Sequence, residues 1–180
     1  MGTQLSRDTI QSDVAETIRD IAQHVSNVLV QRVPWLDEGT ARVVAAIVGT
    51  VAAEHPALRA AILYGSVARH EERALTDQAP SDVDLLLLFT PSPNEHDLTF
   101  QEHRAVFASI GQGRATEPEP PREIQVLPAA DNLANWDEAF VENVAHDGIL
   151  LLSTGELPSS LEAIRQRTGG PSLPRLSSGL

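Results

Sequence analysis

Apolar residues follow two rhythms along this chain. Near the N-terminus Ile10, Val14, Ile18, Ile21, Val25 and Val28 are spaced by three and four positions, the interval that lines up side chains on one face of a helix. The spacing predicts a helix from Thr9 to Val33, stopped at Pro34, whose ring removes a backbone donor. Such a stripe packs against its own domain, the preferred reading, or zips onto a partner helix. A second helix is predicted from Glu38 to Glu54, with Ala41, Val44, Ala45, Val48 and Val51 as its apolar face and His55-Pro56 closing it.

The rhythm then changes to short continuous runs. Leu58 to Tyr64 reads as a strand, and Asp82 to Phe89 as another, whose unbroken leucines require cover on both faces. TPSPNEHD is a turn-rich loop, Leu98 to Ile110 a helix, GQGRATEPEPP a flexible connection and Glu123 to Leu127 a short strand. A helix from Leu133 to Ala145 and a strand from Gly148 to Leu152 follow. Beyond Thr154 the chain is rich in Ser, Pro and Gly and is expected to be mobile. The plan is therefore an N-terminal amphipathic helix (1–37), one α+β domain (38–155) and a flexible tail (156–180), without an internal repeat.

Composition narrows the chemistry. Among 180 residues there is no cysteine, which excludes disulfides, thiolate zinc sites and a cysteine nucleophile. All thirteen basic residues are arginine, so a Walker-type phosphate-binding lysine and a Schiff base are ruled out. The formal charge of −12 opposes a polynucleotide partner, because a phosphate backbone calls for a basic footprint. The sequence shows neither a membrane-spanning run nor the apolar middle of a signal peptide, and a cytoplasmic protein is expected.

The stretch ILYGSVARHEERALTDQAPSDVDLLLLF carries the candidate chemistry. Gly65 allows a tight turn close to a ligand, and Ser66 adds a hydroxyl where a helix starts, a corner suited to a phosphate chain. Asp82 and Asp84 are two apart on a strand and so share a face. Two carboxylates that close repel each other unless a divalent cation lies between them, and Mg2+, with Mn2+ as substitute, is the natural choice beside phosphates. Together these features describe a nucleoside triphosphate site.

GSVAR followed by SDVDLLLLF resembles the signature of the polymerase-beta-like nucleotidyltransferases, and particularly the small free-standing minimal nucleotidyltransferase proteins. FVENVAHDGILLL is similar to the closing helix and strand of that group, so the resemblance covers about residues 40 to 155. It implies a short mixed β-sheet with helices on one side, to which this chain adds an N-terminal helix. It also implies transfer of a nucleoside monophosphate, AMP as the first candidate, from an NTP to a hydroxyl. By position, Gly65 and Ser66 would hold the triphosphate and Asp82 and Asp84 the metal. Arg69 would contact phosphate or, the preferred alternative, form a local salt bridge.

Three departures stand out. His70 occupies a position usually held by glycine. Fifteen residues separate Ser66 from Asp82, more than the family pattern has, with EERALTDQAP as an inserted surface loop. The third acidic residue of the family falls on a strand reading REIQVLP, where either Gln125 occupies the position or Glu123, on the same strand face, reaches in from two residues earlier. Glutamine is not a base, so Glu123 is the remaining catalytic candidate.

Two kinds of function remain open. One is a Mg2+-dependent transferase acting on a small molecule or a protein hydroxyl. The other is a binding protein of the same fold, antitoxin-like, that regulates a helical partner without turnover. Too little chain follows residue 155 for an appended substrate domain, so a protein acceptor, or an acceptor bound across a self-dimer through the first helix, is expected. The histidines, His96 and His103 included, are expected to be surface or capping residues rather than ligands, Trp35 and Trp136 to be packing residues, and Asp137, Glu138 and Glu142 to form a solvated helix face.

Overall fold

The leucine run from Leu85 to Leu88 lies at the centre of the molecule. In the computed structural model, which describes residues 4–133 and 135–168, four strands form one mixed sheet: β1 (Leu58–Tyr64), β2 (Val83–Phe89), β3 (Ile124–Ala130) and β4 (Ile149–Ser153). Their order is β3-β2-β1-β4. Strand β1 is antiparallel to both β2 and β4, whereas β2 and β3 run parallel. A parallel pair needs a crossover, supplied here by helix α4 (Phe100–Ala115). Being central, β2 is covered on both faces, and Leu85 to Leu88 are each at most 1% exposed.

Helices α1 (Gln4–Arg32) and α2 (Glu38–Glu54) join α4 on one face, where Val83, Leu85, Leu87 and Phe89 point. The other face carries Ala60, Ile62, Leu86, Leu88 and Ala129, under α5 (Glu138–Asp147), a 3-10 turn at Ser159–Leu161 and α6 (Glu162–Thr168). The α+β class with a short mixed sheet and an added N-terminal helix is as expected, but the helices lie on both sides. A sheet whose inner strands are apolar on both faces cannot leave one in water.

The extra cover comes from residues assigned to the tail. Leu157, Leu161 and Ile164 are buried against α5 and the sheet, so the folded unit reaches Thr168 rather than ending at residue 155. Residues 169–180 lie outside the described residues. The short helix escaped the sequence reading because its apolar positions are too few for a period to show.

Helix α1 also differs from its expected stripe. Ile21, Val25, Leu29 and Val33 are buried, Val28 is partly so, and Val14 is 38% exposed. Ile10, also expected there, lies outside the residues whose side chains are described. With 17 residues, α2 spans about 26 Å and covers only the C-terminal half of its 29-residue neighbour. Their backbones meet at Gly49, where a Cβ would lie 2.7 Å from the Ile18 carbonyl oxygen.

Smaller shifts have local causes. Helix α4 starts at Phe100, fixed by a capping box between Thr99 and Glu102, and runs on through two glycines to Ala115. Strand β3 continues through Pro128 to Ala130, tolerated because β3 is an edge strand. Asp137, expected on the solvated face of its helix, instead caps the helix by accepting from the Phe140 amide at 3.1 Å, so α5 begins at Glu138. Ser109 ties α4 to the end of α2, its hydroxyl donating to Glu54 and lying 2.8 Å from His55 Nε2. Among the described residues no helix is long and apolar enough to cross a membrane.

Candidate active site

Strand β1 ends at Tyr64 and the chain turns into the four-residue helix α3 (Gly65–Ala68). Gly65 has φ +80°, a left-handed conformation that side chains rarely adopt. A Cβ there would also overlap the Asp84 carboxylate. Glycine is thus required twice, and its lack of a side chain brings the corner against the first half of the Asp-x-Asp motif's own strand. The antiparallel register agrees, since Tyr64 pairs with Asp84.

Asp82 and Asp84 flank Val83, which is fully buried on the opposite face. Both carboxylates emerge half-buried on the face shared with α5, at the end of β2 where that cover runs out. Burial first, then the charge of Asp82, pushes the Asp84 carboxyl above the ordinary aspartate range, with Arg69 opposing. Tyr64 is pushed up to about 12, by burial first and then by Asp84. Its ring meets Phe140 edge-on at 5.4 Å, and Phe140 in turn packs on Trp136 at 4.9 Å, so Trp136 is a packing residue as expected.

Arg69 forms a salt bridge with Glu71 at 2.7 Å and reaches Asp147 of α5 at 3.4 Å. Both partners hold its guanidinium in local pairs, the Glu71 hydrogen bond most strongly. His70 has φ 58°, the backbone a glycine would adopt with ease. The conformation survives the substitution because the imidazole stacks on Trp35 at 4.2 Å, while Trp35 Nε1 donates to the Val67 carbonyl at 2.8 Å. Trp35 thereby braces the corner from the α1–α2 connection.

On β3, Asp84 pairs with Gln125 in parallel register, and Val83 with Ile124. Gln125 Nε2 donates to Asp82 Oδ2 at 2.7 Å. Glu123, one register position earlier and so beside Asp82, accepts from the Val83 amide through its carbonyl oxygen at 2.8 Å. Its side chain is exposed, with no hydrogen bond or ion pair to the described residues. The side chain bonded to the dyad is Gln125.

Arg122 was not singled out by sequence. It is 5% exposed, and its guanidinium donates to the carbonyls of Arg73 at 2.9 Å and Ser81 at 3.0 Å. It also pairs with Asp37 at 3.6 Å, too far for a hydrogen bond. Ser81 Oγ accepts from the Arg73 amide at 2.8 Å. These contacts pin both ends of the inserted loop immediately before Asp82. An arginine after an acidic-proline segment carries no local sign of burial, so no sequence signal distinguishes it.

The residues fit a divalent cation. Asp82 and Asp84 offer two hard oxygen donors on one face, and the space beside Asp84 exists only because residue 65 has no side chain. Among the described residues no group of three or more His, Cys, Asp or Glu side chains is placed to hold a metal ion, so a cation here would have only this pair of carboxylates as its acidic ligands. His96 and His103 do not join it; His103 lies against Phe107.

No protein-family model and no curated protein sequence matches the chain. Among solved structures it is similar to a toxin-antitoxin with AMP-PNP, at TM-score 0.41 and 13% identity, covering 69% of this chain and 82% of that one. It is also similar to a candidate nucleotidyltransferase from Sulfolobus solfataricus, at TM-score 0.35 and 14% identity, covering 78% of this chain and 86% of the other.

Proposed function

We propose that this protein is a nucleotidyltransferase that uses Mg2+, or Mn2+ in its place, to move a nucleoside monophosphate, AMP first among candidates, from an NTP to a hydroxyl on a protein or small molecule. The observation that carries this reading is the contact of the left-handed Gly65 turn with Asp84, which sets a Gly-Ser corner against two carboxylates on one sheet face.

In this reading Gly65 and Ser66 receive the triphosphate, the serine through its hydroxyl, and Asp82 and Asp84 hold the cation. When bound, the cation neutralises phosphate oxygens and so stabilises the charge that develops during transfer. The acceptor oxygen bonds to the α-phosphorus as the bond to the pyrophosphate oxygen breaks, and pyrophosphate leaves with that electron pair. The hydroxyl proton passes to Glu123 or to solvent, since Gln125 is not a base. Arg69, committed to Glu71 and Asp147, shapes the corner rather than gripping phosphate.

The hydrogen bond from Gln125 to Asp82 favours a second reading, a nucleotide-binding regulator that neutralises a helical partner without turnover. ATP labelled at the α-phosphate, incubated with Mg2+ and candidate protein or small-molecule acceptors, separates the two. Transfer by the wild type that falls about 100-fold or more in Asp82→Ala and Asp84→Ala supports the transferase. Calorimetric nucleotide uptake without transfer supports the regulator, and transfer undiminished in both variants overturns the site.

A further inference from the structure

We infer that Gln125, a neutral side chain bonded to the dyad, limits the Asp82–Asp84 pair to a single divalent cation because it adds no anionic oxygen to them. The inference rests on the reading of those aspartates as cation ligands. Gln125 sits opposite Asp84 in the parallel register, and residues paired in this way project from the same side of a sheet. Its amide nonetheless reaches along the strand end to Asp82 Oδ2, at 2.7 Å. An ionised carboxylate only accepts, so the amide nitrogen must face it.

Two consequences follow for a cation. The amide turns its nitrogen to Asp82 Oδ2, so residue 125 offers no anionic oxygen, and the carboxylates of Asp82 and Asp84 remain to ligate. Arg69, a positive neighbour of the dyad, is already engaged by Glu71 and Asp147. Glu123 is exposed at the strand end beside Asp82, with no hydrogen bond or ion pair to the described residues, and among those residues no third acidic or imidazole group completes a cluster. Hard cations need oxygen ligands, and the side chains supply enough anionic oxygen for one. A neutral amide at position 125 also spares the cation-free protein a third carboxylate next to two that already repel.

The test titrates Mn2+ into nucleotide-free full-length protein, follows free Mn2+ by electron paramagnetic resonance, and records thermal melting in EDTA and in Mn2+. Wild type is expected to take up one equivalent, and Gln125→Ala, which adds no charge, also one. Gln125→Glu is expected to take up a second equivalent or to bind the first at least about tenfold more tightly. In EDTA the Gln125→Glu protein should melt about 2–4 °C below wild type, and Mn2+ should restore it. Two equivalents on wild type, or a Gln125→Glu protein with wild-type affinity and wild-type melting in EDTA, would overturn the inference and leave the transferase reading standing. If neither protein binds Mn2+, the cation site fails and the inference with it. Mn2+ uptake as expected in a protein that neither binds nucleotide nor transfers it sinks the transferase reading and supports the role of Gln125.

Discussion

The two faces of the central sheet are made by the same strands and meet opposite demands. On the face under α1, α2 and α4, β2 contributes Val83, Leu85, Leu87 and Phe89, all at most 2% exposed. On the other face the alternate positions are Asp84, Leu86 and Leu88, and the cover from α5 and α6 stops short of Asp84. The first face is closed and apolar to its end. The second gives up a layer of packing at the margin, and the polar chemistry sits in that gap. A carboxylate is tolerable there because solvent, an amide or a cation can reach it, whereas at Val83 it would be buried without a partner.

Substitutions that treat the faces alike test this contrast. The largest effect is expected from Leu87→Ala on the closed face, a loss of about 3–4 kcal/mol in denaturant unfolding from transfer and cavity terms together, with cation affinity per folded molecule unchanged. A shift in cation affinity of equal weight would show that the faces are not separable. Arg122→Met should come next, at about 2–3 kcal/mol, because two backbone carbonyls lose their donor and Asp37 its ion pair. Hydrogen exchange should then rise across residues 71–81 before it rises in β2; uniform loosening would deny the arginine its role in anchoring the loop.

The smallest effect has the opposite sign. In EDTA, Asp84→Asn should stabilise the protein by about 0.5–1 kcal/mol near neutral pH, a small gain because the group is partly solvated. The carboxyl is held above its ordinary value in the folded state, so the folded protein binds its proton more tightly than the unfolded chain does. The cost of ionising it is absent below the ordinary aspartate range, grows as pH rises toward the folded value and is complete above it. Melting curves of wild type and Asp84→Asn should therefore converge near pH 3 and separate as pH rises. A gap independent of pH would place the effect in packing rather than charge.

The sequence made the elements legible where a period persisted or a breaker intervened. Pro34 and His55-Pro56 mark the ends of α1 and α2 closely, and the four strands lie within a few residues of their expected places. The tight turn at Gly65 and the shared face of Asp82 and Asp84 could be read because turn chemistry and strand alternation are local. The contact of Gly65 with Asp84 could not, since it depends on the register between two strands nearly twenty residues apart. Gln125 and Glu123 stayed open for the same reason. Which of two same-face side chains bonds to Asp82 is a question of reach across a parallel pair.

What the chain determined by itself was the alternation that puts both aspartates on one side of β2, the glycine that lets the backbone turn, and a charge of −12 without lysine. The tertiary structure decided the rest. It drew Leu157, Leu161 and Ile164 over the second face, buried Arg122 beneath the loop, kept His70 left-handed against Trp35 and pointed the Gln125 amide at Asp82. The division has a physical cause. Backbone preference and side-chain alternation act over a few residues and are written where they act, while burial and hydrogen-bond partnership belong to pairs that only folding brings together.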